Sequence, residues 1–272
     1  MPPRSPVEIA DPDDPRLDDF RDLTTADRRP DRPGGRGLVI AEGVVVVRRL
    51  LGSPFPLRAV LGVPHRVAEL APDLDGLGDR VYATSASVMD RVVGFHLNRG
   101  VLAAADRAPE IDPVALARDA RSLAVLEGIN DHENLGSLFR NAAALGVSGV
   151  LLGPRCADPL YRRSVRVSMG HVLRVPFATL PERPPWPASL ESLRSAGLRV
   201  VALTPRPDAV PLRAAGFGPG ERVAWLLGAE GPGLSEEALG SADQLVRIPM
   251  AAGVDSLNVA TAAAVAFHSV QP

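Results

Sequence analysis

The chain has 272 residues, 46% of them hydrophobic but only 4% aromatic, and a formal net charge of -2; it can build one large or two modest aliphatic cores and lacks the basic excess that advertises nucleic-acid binding. Apart from histidine its cations are all arginine, and Cys156 is its single cysteine, which excludes lysine catalysis, disulfide frameworks and cysteine zinc sites within the chain. No apolar run approaches the ~18 residues of a membrane span, and the Pro- and Asp-rich start does not resemble a signal peptide, so a cytoplasmic protein is expected.

Residues 1–33 hold many Pro, Asp and Arg residues and read as an extended or partly disordered arm, although Leu17, Phe20 and Leu23 stand at a spacing that could dock a short turn. Residues 34–106 read as a small α/β domain: helix 38–51, strand 57–62, helix 64–70, strand 80–84, helix 85–93 and strand 100–105. Val44 to Val47 favours a strand by propensity, but Glu42 before the run and Arg48 and Arg49 after it match a helix dipole. Pro109, Asp112 and Pro113 mark residues 107–120 as a linker.

From 121 to 272 short aliphatic runs alternate with helical patterns. Strands are expected at 122–127, 149–152, 172–175, 198–203, 222–227 and 244–248, and helices at 134–145, 160–166, 188–196 and 256–268. Strands buried on both faces and separated by helices indicate a largely parallel sheet, whose carboxyl ends are where such sheets bind ligands.

Three segments fall at or just beyond such strand ends. They are Asn134-Leu-Gly-Ser-Leu-Phe-Arg140, Leu227-Gly-Ala-Glu230-Gly-Pro-Gly233, and Ile248-Pro-Met250 followed by Ser256-Leu-Asn258-Val259. Taken singly each has an ordinary reading: a surface arginine, a plain turn at Gly231-Pro-Gly233, or a helix cap at Ser256 to Asn258. Their joint occurrence, in this order, outweighs those readings. The glycine spacing does not fit a dinucleotide fingerprint, so a Rossmann enzyme is disfavoured.

At these residues the chain resembles the SpoU/TrmH family of RNA 2′-O-ribose methyltransferases, of the SPOUT superfamily. Asn134, Gly136 and Arg140 match the family's first motif, Gly228, Glu230, Gly231 and Gly233 its second, and Ile248 to Met250 with Ser256 to Val259 its third. Phe95, His96 and Asn98 to Val101 more loosely resemble the end of the family's amino-terminal substrate domain. The resemblance implies an α/β catalytic domain with a deep carboxy-terminal trefoil knot, preceded by a small RNA-binding domain resembling ribosomal proteins. It also implies S-adenosyl-L-methionine as cofactor, no metal, RNA as partner with ribosomal RNA favoured over tRNA, and a homodimer through the knot region.

The resemblance makes Asn134, Arg140, Glu230, Ser256 and Asn258 the catalytic set. Leu203, Gly228, Glu230, Gly231, Gly233, Ile248, Met250 and Leu257 would hold the cofactor. A guanidinium, with a pKa of about 12.5 or more, is costly to neutralise, so Arg140 is expected chiefly to hold the phosphate beside the 2′-oxygen, and the proton acceptor stays open. Glu230 would orient Arg140 or nearby backbone; Asn258 would meet either the cofactor or Asn134. Arg162, Arg163 and Arg166 fall at helical spacing suited to RNA phosphates or to a solvated face, as do Arg48 and Arg49. The alternatives are a tRNA methyltransferase and a non-catalytic ribosome-assembly factor on the same fold.

Overall fold

The computed structural model describes residues 5–23, 37–181, 186–218 and 220–270. The chain divides into two units, Met1–Pro109 with Leu160–Leu173, and Glu110–Pro159 with Arg174–Pro272.

The first unit contains β1 (Val7–Glu8), β2 (Val39–Glu42), α1 (Val44–Leu51), β3 (Leu57–Gly62), α2 (Pro64–Leu70), β4 (Val81–Ala83), α3 (Ala86–Val93) and β5 (Val101–Ala105). Its sheet has the order β1-β4-β3-β5-β2, with β5 antiparallel to β2 and β3 and the other pairs parallel. The helix expected over 38–51 is therefore a strand followed by a helix. Val39 to Glu42 are buried throughout, and a short apolar run of that kind cannot be told from a helix by periodicity. Gly43 separates the two elements at φ 90°, a conformation that favours glycine, and a Cβ there would fall 2.8 Å from Arg99 Cδ.

Part of the expected extended arm is docked. Leu17 and Phe20, on a short turn over Pro15–Phe20, are fully buried in one core with Ile40, Leu61, Met89 and Leu102, so the apolar spacing outweighs the polar composition around it. Residues 24–33 of that arm lie outside the described residues.

The second unit opens with α4 (Pro113–Asp119), inside the stretch expected as a linker: Asp112 caps it and Pro113 takes a first-turn position where no N–H is needed. There follow β6 (Ser122–Glu127), α5 (His132–Ala144) and β7 (Gly149–Leu152). The segment Leu160–Leu173 groups with the first unit; its helix α6 (Arg162–Val167) packs on β2. The second unit resumes with β8 (Phe177–Thr179), α7 (Trp186–Ser195), β9 (Arg199–Leu203), β10 (Val210–Pro211), β11 (Val223–Gly228), α8 (Glu236–Gly240), β12 (Gln244–Arg247) and α9 (Val259–His268).

These strands form one seven-stranded sheet in the order β10-β12-β9-β11-β6-β7-β8, every pair parallel. The strand expected at 172–175 is instead a turn over His171–Leu173. Pro176 has no N–H for the ladder, and pairing with β7 begins at Phe177. Leu123, Val125, Leu151, Leu190, Val200 and Leu226 lie in the core of this unit. Past β6 the order reverses, with β7 and β8 on one side and β11, β9 and β12 on the other. The strand ends around such a switch point leave a crevice.

Candidate active site

A cavity of about 610 Å³ opens beyond the carboxyl ends of β9, β11 and β12. Leu203, Gly228, Glu230, Gly231, Gly233, Ile248, Met250 and Leu257 all line it, as do Ser256 and Asn258. Thr204, Pro205, Asp255 and Ala262 also line it and were not anticipated; nothing but position after a strand end or on a helix flank marks them in the sequence. The size suits a small-molecule ligand. The two charged residues in the lining, Glu230 and Asp255, are both acidic.

The glycine loop takes its shape from its own backbone. A Cβ on Gly228 would fall 2.3 Å from Gly233 C and Leu234 N, so the absent side chain makes room for the returning loop. Ala229 and Gly233 close that loop as an isolated bridge, with Gly233 N donating to Ala229 O at 3.0 Å. Gly231 and Gly233 have φ of 84° and 70°, and a Cβ on either would meet nothing within 4 Å. At these two positions backbone angle, not space, calls for glycine.

Asn258 links two other residues of the expected catalytic set. Its Oδ1 accepts from Ala260 N at 3.0 Å and Thr261 N at 3.2 Å, capping α9. That fixes the amide orientation and aims Nδ2 the other way, where it donates to Asn134 Oδ1 and to Glu230 Oε1, each at 2.7 Å. Asn258 thus meets Asn134, and Glu230, expected to orient Arg140 or nearby backbone, instead accepts from Asn258. The cap also explains why the helix expected from 256 begins only at Val259, leaving Ser256 exposed at the cavity. In the same way Asp131 caps α5, which starts at His132, ahead of the expected Asn134.

Arg140 stands apart. At about 100° per residue it is rotated about 240° from Asn134 on α5. It is exposed, and among the described residues its guanidinium has no hydrogen-bond or ion-pair partner. The residue that shares Asn134's stripe is Asn141, seven positions on, whose Nδ2 donates to Ala260 O at 2.7 Å. Sequence reasoning missed Asn141, although an i, i+7 pair of asparagines on one helix was the available signal.

The five arginines expected at RNA lie in the first unit. Arg48 donates to Asp73 at 2.8 Å and to Glu69 O, and Arg49 donates to Met169 O. Arg162 pairs with buried Glu42 at 3.4 Å and lies 4.7 Å over the Phe95 ring; burial pulls its pKa down from the ordinary guanidinium value. Arg163 is exposed and Arg166 half-buried. Cys156, half-buried, has its thiol pKa pushed up by burial, which disfavours a thiolate. Among the described residues no group of three His, Cys, Asp or Glu side chains is placed to hold a metal ion, and no helix is long and apolar enough to cross a membrane.

Comparison with known proteins yields concordant matches. Residues 121–268 match the model of the SpoU rRNA Methylase family. The chain is 58% identical over 262 residues to an uncharacterized tRNA/rRNA methyltransferase of Mycobacterium tuberculosis, covering 96% of this chain and 90% of the relative. It is 29% identical over 238 residues to a 23S rRNA (guanosine-2′-O-)-methyltransferase of Bordetella pertussis, covering 85% and 95%. Among solved structures, the AdoMet-bound rRNA methyltransferase of Sinorhizobium meliloti superposes with a TM-score of 0.78 at 25% identity, over 97% of both chains.

Proposed function

Because this chain belongs to the SpoU rRNA methylase family, we propose that it transfers a methyl group from S-adenosyl-L-methionine to a ribose 2′-hydroxyl of RNA, 23S ribosomal RNA above all. The observation that carries this reading is the cavity: the second and third sequence segments line it together, and Asn134 of the first is bonded to it through Asn258.

The lining fits the cofactor. Leu203, Ile248, Met250 and Leu257 offer an apolar wall for an adenosine, the open backbone at Gly231 and Gly233 offers polar groups, and the acidic Glu230 and Asp255 suit a sulfonium cation. When bound, the cofactor supplies a methyl group on a leaving group that needs no acid. The chain's own residues then have to orient the nucleophile and exclude water. The apolar wall excludes water. Asn258 holds Asn134 and Glu230 in one rigid cluster, and its own rotamer is locked by the α9 cap. Ser256 at the cavity is free to face the ribose, and Arg140 holds the neighbouring phosphate.

We further read the unit as knotted and homodimeric. The return of α9 onto α5, after β12 has been laid down beyond β9, supports a chain that doubles back through itself from about Gly228. Val254 and Val265, exposed apolar side chains along the third segment and α9, support a second copy seated there. Arg163, exposed on α6, and Arg166, half-buried on the same helix, are the first-unit cations read as meeting RNA. The name of the Bordetella relative supports 23S rRNA, and the presence of a first unit beside the catalytic one supports ribosomal RNA over tRNA.

The test is incubation of the purified protein with methyl-labelled cofactor and separate ribosomal and transfer RNA fractions. Label in 23S RNA is expected. Label in tRNA alone would transfer the activity to the other substrate, and cofactor binding without transfer to either RNA would favour an assembly factor.

A further inference from the structure

Glu127, at the end of β6, is a carboxylate that the catalytic set does not use. Its side chain is 3% exposed, deep for a glutamate, and it stands opposite Gly228 in the β6–β11 register. Its Oε2 accepts from Ser235 N at 2.8 Å, and its Oε1 lies 3.8 Å from Arg155, whose side chain is 74% exposed.

Ser235 is the N-cap of α8, its Oγ accepting from Ala238 N. In a capping box the third helical residue would return the favour, a Glu or Gln reaching back to the cap's own N–H. Here that residue is Ala238, which has nothing to offer. Glu127, 108 residues earlier in the chain, supplies the missing acceptor. The bond fastens the loop where it finishes its return: Gly228 opens the loop, Gly233 and Leu234 pass across the space its side chain would fill, and Ser235 is tied to the neighbouring strand. Gly231 and Gly233, between the two fixed points, line the cavity.

We propose that Glu127 is the positioning residue that fixes the glycine loop in its cofactor-binding shape, completing from β6 the cap of α8. The proposal rests on the reading of the cavity as the S-adenosylmethionine site. Glu127 touches no reacting atom, so its removal raises the cofactor KM and leaves kcat at saturating cofactor within about twofold.

The experiment compares wild type with Glu127→Ala and Glu127→Gln, using calorimetry with S-adenosylmethionine and steady-state methyl transfer to 23S RNA. Alanine is expected to weaken cofactor binding roughly tenfold, the scale of one part-buried donor losing a charged acceptor. Glutamine keeps an oxygen acceptor and is expected to restore most of the affinity. A folded alanine variant with wild-type cofactor affinity overturns the proposal, as does a glutamine variant no better than alanine, or a loss confined to kcat. If the alanine variant does not fold, Glu127→Asp carries the test, because it withdraws the oxygen by one methylene and is expected to raise the cofactor KM; an unchanged KM there overturns the proposal. Failure of the wild-type protein to bind S-adenosylmethionine would instead overturn the reading of the cavity, and the proposal with it.

Discussion

Replacing Asn258 by aspartate separates the two jobs of that side chain. Asn258 Oδ1 caps α9 and Nδ2 bridges Asn134 and Glu230. Alanine removes both functions, whereas aspartate keeps the capping oxygen and puts a second oxygen where the donor stood. Loss of the cap costs about 1 kcal/mol, which in a protein of this size lowers Tm by roughly 2–4 °C. Aspartate avoids that cost, since an anion is favourable at a helix start. It forfeits one hydrogen bond to a carboxylate, about 1.5–3 kcal/mol, and one neutral bond, about 0.5–1.5 kcal/mol. Exposure of the site reduces the total to roughly 1.5–3 kcal/mol, or about 10- to 100-fold in rate if the cluster orients the reacting groups. Differential scanning fluorimetry and labelled methyl transfer on both variants provide the assay. Asn258→Asp, which keeps the α9 cap but sets a carboxylate against Glu230, is expected to turn over 10- to 100-fold more slowly, and Asn258→Ala to lose turnover and the cap's contribution to Tm as well. An aspartate variant that turns over like wild type would show that Asn258 is a helix cap and nothing more.

Other perturbations separate the remaining roles. Arg140→Ala is expected to abolish methyl transfer while calorimetry still shows cofactor binding, because the side chain is exposed and lies outside the cavity lining; turnover near wild type would remove it from the catalytic set. Gly228→Ala would force backbone at Gly233 and Leu234 to move, costing about 1–3 kcal/mol or more, and urea melts with cofactor titrations should show both properties worsen; unchanged values would mean the loop can step aside. Arg162→Ala should destabilise by about 1–3 kcal/mol, because it removes the 3.4 Å ion pair to buried Glu42, which keeps only Arg99 at 3.9 Å, and the contact over Phe95. A stability loss below 1 kcal/mol with a large drop in RNA affinity would return Arg162 to the RNA-binding set.

What could be read from the sequence was what is local. Most residues lining the cavity sit in the second and third sequence segments, each a strand end with its following turn, so their residue types and order sufficed to single those out. The parallel sheet of the second unit followed from alternation of apolar runs with helical patterns. What could not be read depends on partners distant in the chain. Glu127 and Ser235 meet across 108 positions, Arg162 and Glu42 across 120, and no spacing rule reaches that far. The same limit explains α6, which sits between strands of the second unit in sequence yet groups with the first unit. The misread helix over 38–51 had another cause. Val39 to Val47 is apolar nearly throughout, so its pattern suited either element, and the deciding residue was Gly43 at positive φ.

The central claim is that this cavity directs a methyl group to a ribose oxygen, and the position of the methyl tests it most directly. RNA methylated by the purified protein should be digested to nucleosides and the labelled product fragmented by mass spectrometry. The account predicts a single nucleoside with the added methyl on its ribose, and no such product from Asn258→Asp at early times. A methyl group on the base, or label spread over many nucleosides, would contradict it.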